Sequence, residues 1–172
     1  MAKSGRLRTD KQAGQLYTPE QRQRRDATVW TLVQGILAPV QFLVFLLSIL
    51  LILRYLATGE GIGAANASVV VKALLLYTIM ITGSIWEKVV FGRWLFADAF
   101  FWEDVVSILV LALHTAYLVC FFLNLLSPVE LMFLALAAYA TYALNAAQFL
   151  LKLRAARLST APAHMGAMEV AR

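Results

Sequence analysis

The chain has 172 residues, 61% of them hydrophobic and 15% charged, with a formal net charge of +5 at pH 7. A soluble domain of this length has an apolar share nearer about 45–50%, so the composition excludes a soluble enzyme or soluble binding module and points to an integral membrane protein. The single cysteine, Cys120, excludes a disulfide framework and a cysteine-based metal site, and nothing in the charge pattern suggests nucleic acid.

Residues 1–29 form a basic segment with seven Lys/Arg and no apolar core of the signal-peptide kind, so no cleavage is expected. Within it, Thr18-Pro19-Glu20-Gln21 reads as a helix start: a Thr cap, proline at the first helical position and Gln closing a capping box. The helix it opens, QRQRRDATVW, is expected at the membrane surface, its basic residues drawn to anionic lipid headgroups or to an acidic partner. Four apolar stretches follow, at 30–53, 68–90, 103–125 and 129–151, each long enough to cross a bilayer, which takes about 20 residues. Between them lie a glycine-rich loop (RYLATGEGIGAANA), a short aromatic turn (FGRWLFADAFFW) and a break at Pro128. Residues 153–172 are basic and then alanine-rich, and read as a flexible tail. Lys and Arg gather in the N-terminal segment, at Lys88 and Arg93, and at the C-terminal end, which puts both termini on the cytoplasmic side. The expected fold is all-α: a polytopic, antiparallel bundle of four transmembrane helices over residues 30–152, preceded by a basic interfacial helix.

Ionisable side chains inside such helices are costly and mark function by default. Glu87, Glu103, Asp104 and His114 are the candidates here. Each also has a plainer reading: the two acids of the third span as charges in a helix's first turn, and Glu87 as a partner of Lys88 or Arg93. Helical spacing gives every span a polar seam: Gln34, Gln41 and Ser48 on the first; Tyr77, Ser84 and Lys88 on the second; Glu103, Ser107 and His114 on the third; Thr141, Asn145, Gln148 and Lys152 on the fourth. Antiparallel threading gathers Gln34, Glu87, Glu103, Asp104 and Gln148 near the cytoplasmic boundary, and Gln41, Tyr77, His114, Thr141 and Asn145 near the midplane. The Gln and Asn residues serve equally well as interhelical glue. Trp30, Trp86, Trp94 and Trp102 fall at the same boundary, as an aromatic belt or as walls for a flat ligand. GEGIG at 59–63 lacks the strand that a nucleotide loop requires, and there is neither an HExxH motif nor a nucleophile elbow.

The blocks LYTPEQRQRRD, WTLVQGILAPVQFLVFLLS, RYLATGEG, IWEKVVFGRWLFADAFFWEDV, LALHTAYL and NAAQFLLKLRAARL, spread over about residues 16 to 158, resemble the bacteriochlorophyllide 3-vinyl hydratases, also called 2-vinyl bacteriochlorophyllide hydratases. The resemblance implies a hydro-lyase of bacteriochlorophyll biosynthesis in a bacterial inner membrane, cytoplasmic or intracytoplasmic, adding water to the C3-vinyl group of a chlorophyllide to give a 1-hydroxyethyl group. It implies a tetrapyrrole substrate that carries its own magnesium, no further cofactor, and lipid and other pathway enzymes as neighbours. Such a reaction needs an acid that keeps its proton in an apolar wall, a positioned water and a flat pocket. On that footing Glu87 or Glu103 is the expected proton donor and Asp104 the water-orienting partner. His114, about 16 Å along the helix from Glu103, is a possible axial ligand to the pigment magnesium or an alternative acid. Arg93 or the basic helix is expected to meet the propionate. Gln34, Gln41, Tyr77, Asn145 and Gln148 are expected to bind the ring substituents or water. Two rival classes stand beside it: a non-catalytic pigment-binding or delivery protein, which would leave the vinyl group unchanged, and a small transporter, which would need polar groups continuous to the far side, where the expected periplasmic half is nearly all apolar apart from Ser48, Lys72 and Asn124.

Overall fold

A computed structural model describes residues 16–169, with side chains through residue 155. The expectations for residues 1–15 and for the side chains of the tail lie outside the described residues. Five helices follow in order: α1 (Pro19–Ala27), α2 (Val29–Thr58), α3 (Ile62–Phe91), α4 (Phe101–Phe122) and α5 (Pro128–Glu169). Four of them, α2, α3, α4 and α5 over Pro128–Ala155, are long and apolar enough to span a membrane. No strand occurs among the described residues.

The capping box forms as its residues dictate. Gln21 N donates to Thr18 Oγ1 at 3.3 Å and Thr18 N donates to Gln21 Oε1 at 2.9 Å. Helix α1 does not run on into α2, because Thr28 between them adopts an extended conformation and caps the second helix with its own hydroxyl. Tyr17, just ahead of α1, is buried against Phe91 and Phe100, with the Arg25 guanidinium 4.8 Å from its ring centre. Burial pushes the Tyr17 phenol up from its ordinary value, with Arg25 acting in the opposite sense. Removing the cap by Thr18→Ala is expected to loosen α1 by about 1 kcal/mol. Hydrogen exchange would show this as faster exchange at Gln21 and Arg22 with the membrane helices unchanged.

The glycine-rich connection, expected as a loop, is mostly helix. Its alanines extend α2 and α3, and only Gly59 and Gly61, both in the left-handed region (φ 74° and 86°), make the reversal. Side-chain pairs then fix the topology. Gln34 meets Thr82, Gln41 meets Lys72 and Ser48 meets Ser68, so numbers rise along α2 as they fall along α3. Ser107 meets Asn145 and Glu103 meets Lys152 in the same antiparallel sense across α4 and α5. The two hairpins, α2/α3 and α4/α5, are each packed along their length and touch one another more sparingly. Their shared interior is a core of Phe45, Ile52, Val69, Leu76, Val110, Tyr117, Met132 and Tyr139. Leucine, valine and phenylalanine side chains cover the outside, as lipid contact requires.

Candidate active site

Helix α3 ends at Gly92, whose φ of 82° suits the left-handed cap, and α4 starts at Phe101. Residues 92–100 therefore join the last turn of one helix to the first turn of the next, and this reversal brings Glu87 and Asp104 face to face. Consecutive backbone amides of the loop hold the two carboxyl groups side by side. Both are buried, at 5% and 4% exposure. The loop supplies two backbone donors: Ala97 N gives its hydrogen to Glu87 Oε2 at 3.2 Å and Phe96 N gives its own to Asp104 Oδ2 at 2.8 Å. To aim its amide inward Phe96 takes φ 57°, a conformation uncommon for any residue with a bulky side chain. Two acids that would ordinarily repel are thus held as neighbours by two amide donors and an apolar wall, an arrangement that can store and release a proton.

Glu103 points elsewhere. Its Oε2 accepts from the Lys152 ammonium at 2.6 Å, and the same ammonium lies 5.1 Å from the Phe100 ring centre. Phe100 in turn belongs to a packed aromatic group with Tyr17, Trp86, Phe91 and Phe149. The expected meeting of Glu103 with Glu87 is therefore replaced by an ion pair that spends its charge on α5. One turn deeper, Asn145 Nδ2 donates to Ser107 Oγ at 2.7 Å, while Asn145 Oδ1 is buried without a partner.

The middle of the bundle holds a second polar group that the sequence reading undervalued. Lys72 is fully buried; its ammonium donates to Gln41 Oε1 at 2.8 Å and sits 3.5 Å from the Tyr142 ring centre. Gln41 is itself fixed by donating to Leu75 O at 3.2 Å. His114, also fully buried, has Nδ1 2.8 Å from Val110 O, so Nδ1 carries the hydrogen and Nε2 presents a bare lone pair with no partner. Its ring packs 5.7 Å from that of Tyr139, whose hydroxyl donates to Ser48. The tautomer suits a metal, but the setting does not. Packing closes over the ring and the Lys72 cation lies near it, so the expected axial contact with a macrocycle's magnesium finds no support in this arrangement. The signal for Lys72 lies in SVVVKALLLY, where one ammonium group stands amid apolar residues.

The other expected site residues are dispersed. Gln34 donates to Thr82 Oγ1 at 2.7 Å, and Tyr77 OH shares a 2.7 Å bond with Thr115 Oγ1. Arg93 is exposed and paired with Asp98 at 2.9 Å. Gln148 is exposed on α5, away from the carboxyl pair it was expected to join. Of the four tryptophans, Trp94 and Trp102 are exposed, while Trp86 Nε1 donates to Thr31 Oγ1 at 2.9 Å and ties α3 to the start of α2. The donors of Phe96 and Ala97 escaped sequence reading because a backbone amide has no residue signature.

Comparison with known proteins adds the chemistry. Residues 17–155 match the family described as 2-vinyl bacteriochlorophyllide hydratase (BCHF). A protein of Cereibacter sphaeroides named 2-vinyl bacteriochlorophyllide hydratase is 68% identical over 143 residues, covering 83% of this chain and 89% of the relative. One of the same name from Rhodobacter capsulatus is 61% identical over 157 residues, 91% of each chain. No solved structure matches.

Proposed function

We propose, from the premise that this chain belongs to the 2-vinyl bacteriochlorophyllide hydratase family, that the paired carboxyl groups of Glu87 and Asp104 carry out the hydration. The protein is a membrane-embedded hydratase of bacteriochlorophyll biosynthesis. Its substrate in this reading is a chlorophyllide-type tetrapyrrole bearing a C3-vinyl group, and the product is the 3-(1-hydroxyethyl) pigment.

The observation that carries the mechanism is the pairing of the two acids under two amide donors. Two carboxylates so close do not both ionise readily, so the pair holds one proton between them. Glu87, whose amide bond is the longer at 3.2 Å against 2.8 Å for Asp104, is the donor. It protonates the terminal vinyl carbon, and the positive charge left on the inner carbon spreads into the conjugated ring. Asp104, ionised, stabilises that cation and orients a water whose oxygen attacks the inner carbon. The water's released proton returns to the pair, which restores the starting state. Glu103 is not the donor in this scheme, because its oxygen is engaged by Lys152. No atom of His114 enters it, since about 15 Å of helix separates that ring from Asp104. The pigment's magnesium stays with the substrate throughout.

Positive charge on residues 16–29, Lys88, Arg93 and Lys152 supports a reading with the carboxyl pair at the cytoplasmic side of a bacterial inner membrane. There the exposed Arg93 can exchange Asp98 for the pigment's propionate. Arg93→Gln is expected to raise KM about threefold with kcat unchanged, and to flatten the salt dependence of KM, as a rim charge does. The hydratase reading itself is tested by incubating the purified protein in detergent with vinyl chlorophyllide in heavy-oxygen water. The product should gain one labelled water by mass spectrometry. Pigment that binds and is recovered unaltered would favour the delivery-protein alternative.

A further inference from the structure

The strained loop residue that holds Asp104 also presents an aromatic ring to the outside. We infer that Phe96 and Phe101 form a stacking platform for the tetrapyrrole macrocycle, and that the apolar groove running down α4 beneath them is the macrocycle's seat, entered sideways from the lipid. The inference rests on the reading of Glu87 and Asp104 as the reacting pair and says where the rest of the substrate lies.

Three features converge. Phe96, at φ 57°, turns its amide inward to Asp104 and its ring outward, where it is 38% exposed and packs 5.7 Å from the exposed ring of Phe101. A bulky residue held in the left-handed region is a local strain that surrounding structure must maintain, and such strain gathers at functional sites. The ring is thus fixed by the same residue that positions a reacting carboxylate. Below it a groove of about 530 Å³ is lined by Ile108, Leu111, Ala112, Thr115, Ala116 and Val119. At about 100° per residue, Phe101, Ile108, Ala112, Thr115 and Val119 fall within about 60° of one another on α4, and Asp104 lies at the edge of that stripe. The groove therefore begins about one turn along α4 from Asp104 and runs about 16 Å from Ile108 to Val119.

The lining suits a flat apolar ring system. Ala112 and Ala116 remove bulk where a ring face would rest, and Thr115, whose hydroxyl gives its hydrogen to Leu111 O and takes that of Tyr77, leaves no free donor on this apolar face. The two hairpins touch one another more sparingly than the helices within each, so a ligand can approach between α3 and α4 without unpacking either hairpin. Small residues also suit a helix of a second copy, but proximity to the carboxyl pair favours the pigment.

The test compares Phe96→Leu, Phe101→Ala and Ala112→Leu with Leu43→Ala on the lipid face of α2, reading pigment binding by tryptophan fluorescence quenching together with KM and kcat. Each of the three is expected to weaken binding and raise KM roughly tenfold, the scale of one lost aromatic stack, while Leu43→Ala changes neither. Phe96→Tyr keeps the ring and should bind normally. Phe96→Gly relieves the backbone yet removes the ring, and should bind as poorly as Phe96→Leu. Unchanged KM in Phe101→Ala and Ala112→Leu would overturn the platform and groove. So would a shift in oligomeric state on Ala112→Leu with binding intact, which would assign the groove to a second copy. Either result leaves the carboxyl pair standing, because that pair is judged by turnover at saturating pigment in Glu87→Gln.

Discussion

Glu87→Gln is expected to lower kcat by at least about a hundredfold, the lower end of what a positioned proton donor contributes, while pigment binding stays within about threefold of the unmodified protein. The amide side chain is isosteric and its oxygen can still accept from Ala97, so the loop keeps its place. It has no acidic proton to give the vinyl carbon. Asp104→Asn preserves the bond from Phe96 in the same way and removes the charge that orients water, so it should fall by a similar factor. The decisive measurement is the double substitution. If one proton is shared, the two residues act as a unit, and Glu87→Gln with Asp104→Asn should be little worse than either alone. Independent, multiplying losses would mean that no proton is shared between them; more than about a tenth of normal turnover in Glu87→Gln would remove it as the donor.

The second large effect belongs to the middle of the bundle. Gln41→Leu is expected to destabilise the protein by about 3 kcal/mol or more, because it leaves the Lys72 amine buried with only the Tyr142 ring for company. Lys72→Met removes the amine instead and strands only a neutral amide oxygen, a smaller loss of about 1–3 kcal/mol. Both together replace a buried polar pair by apolar side chains of similar size and should restore most of the stability. Equilibrium unfolding in mixed detergent micelles would measure the cycle, and simple addition of the two single losses would show that the pair is not coupled. Lys72 therefore stands as an amine kept against the preference of its surroundings, at a depth where the hydrocarbon offers it nothing.

Much of the fold was legible because lipid imposes a simple code. Four apolar stretches gave four spans, and the Thr18 capping box and the break at Pro128 appear where their residues require them. The glycine-rich connection misled because Gly59 and Gly61 need only a few residues to reverse the chain, while the alanines around them favour helix. For the site, helical periodicity placed Glu103, Ser107 and His114 on one buried stripe of α4, and all three are buried. It said nothing about partners across helices. Whether Glu103 faces Glu87 or Lys152 depends on the rotation of α5 against α4, which no single-helix pattern encodes. The same holds for Gln148, which shares the Asn145 seam by spacing but lies on an exposed surface. Phe96 gave no warning at all, since its importance comes from a backbone angle.

Most long-range polar pairs close within a hairpin, as at Gln34–Thr82, Gln41–Lys72 and Glu103–Lys152, while Tyr77–Thr115, Asn66–Tyr117 and Ser48–Tyr139 bond across the two, and residues 92–100 carry both the link between them and the amides that grip the acids. Insertion into the bilayer can therefore complete two stable units before any catalytic geometry exists, with competence arriving only when they dock. An enzyme assembled across such a seam should respond to acyl-chain length and lateral pressure, losing turnover in a poorly matched membrane while every helix remains intact.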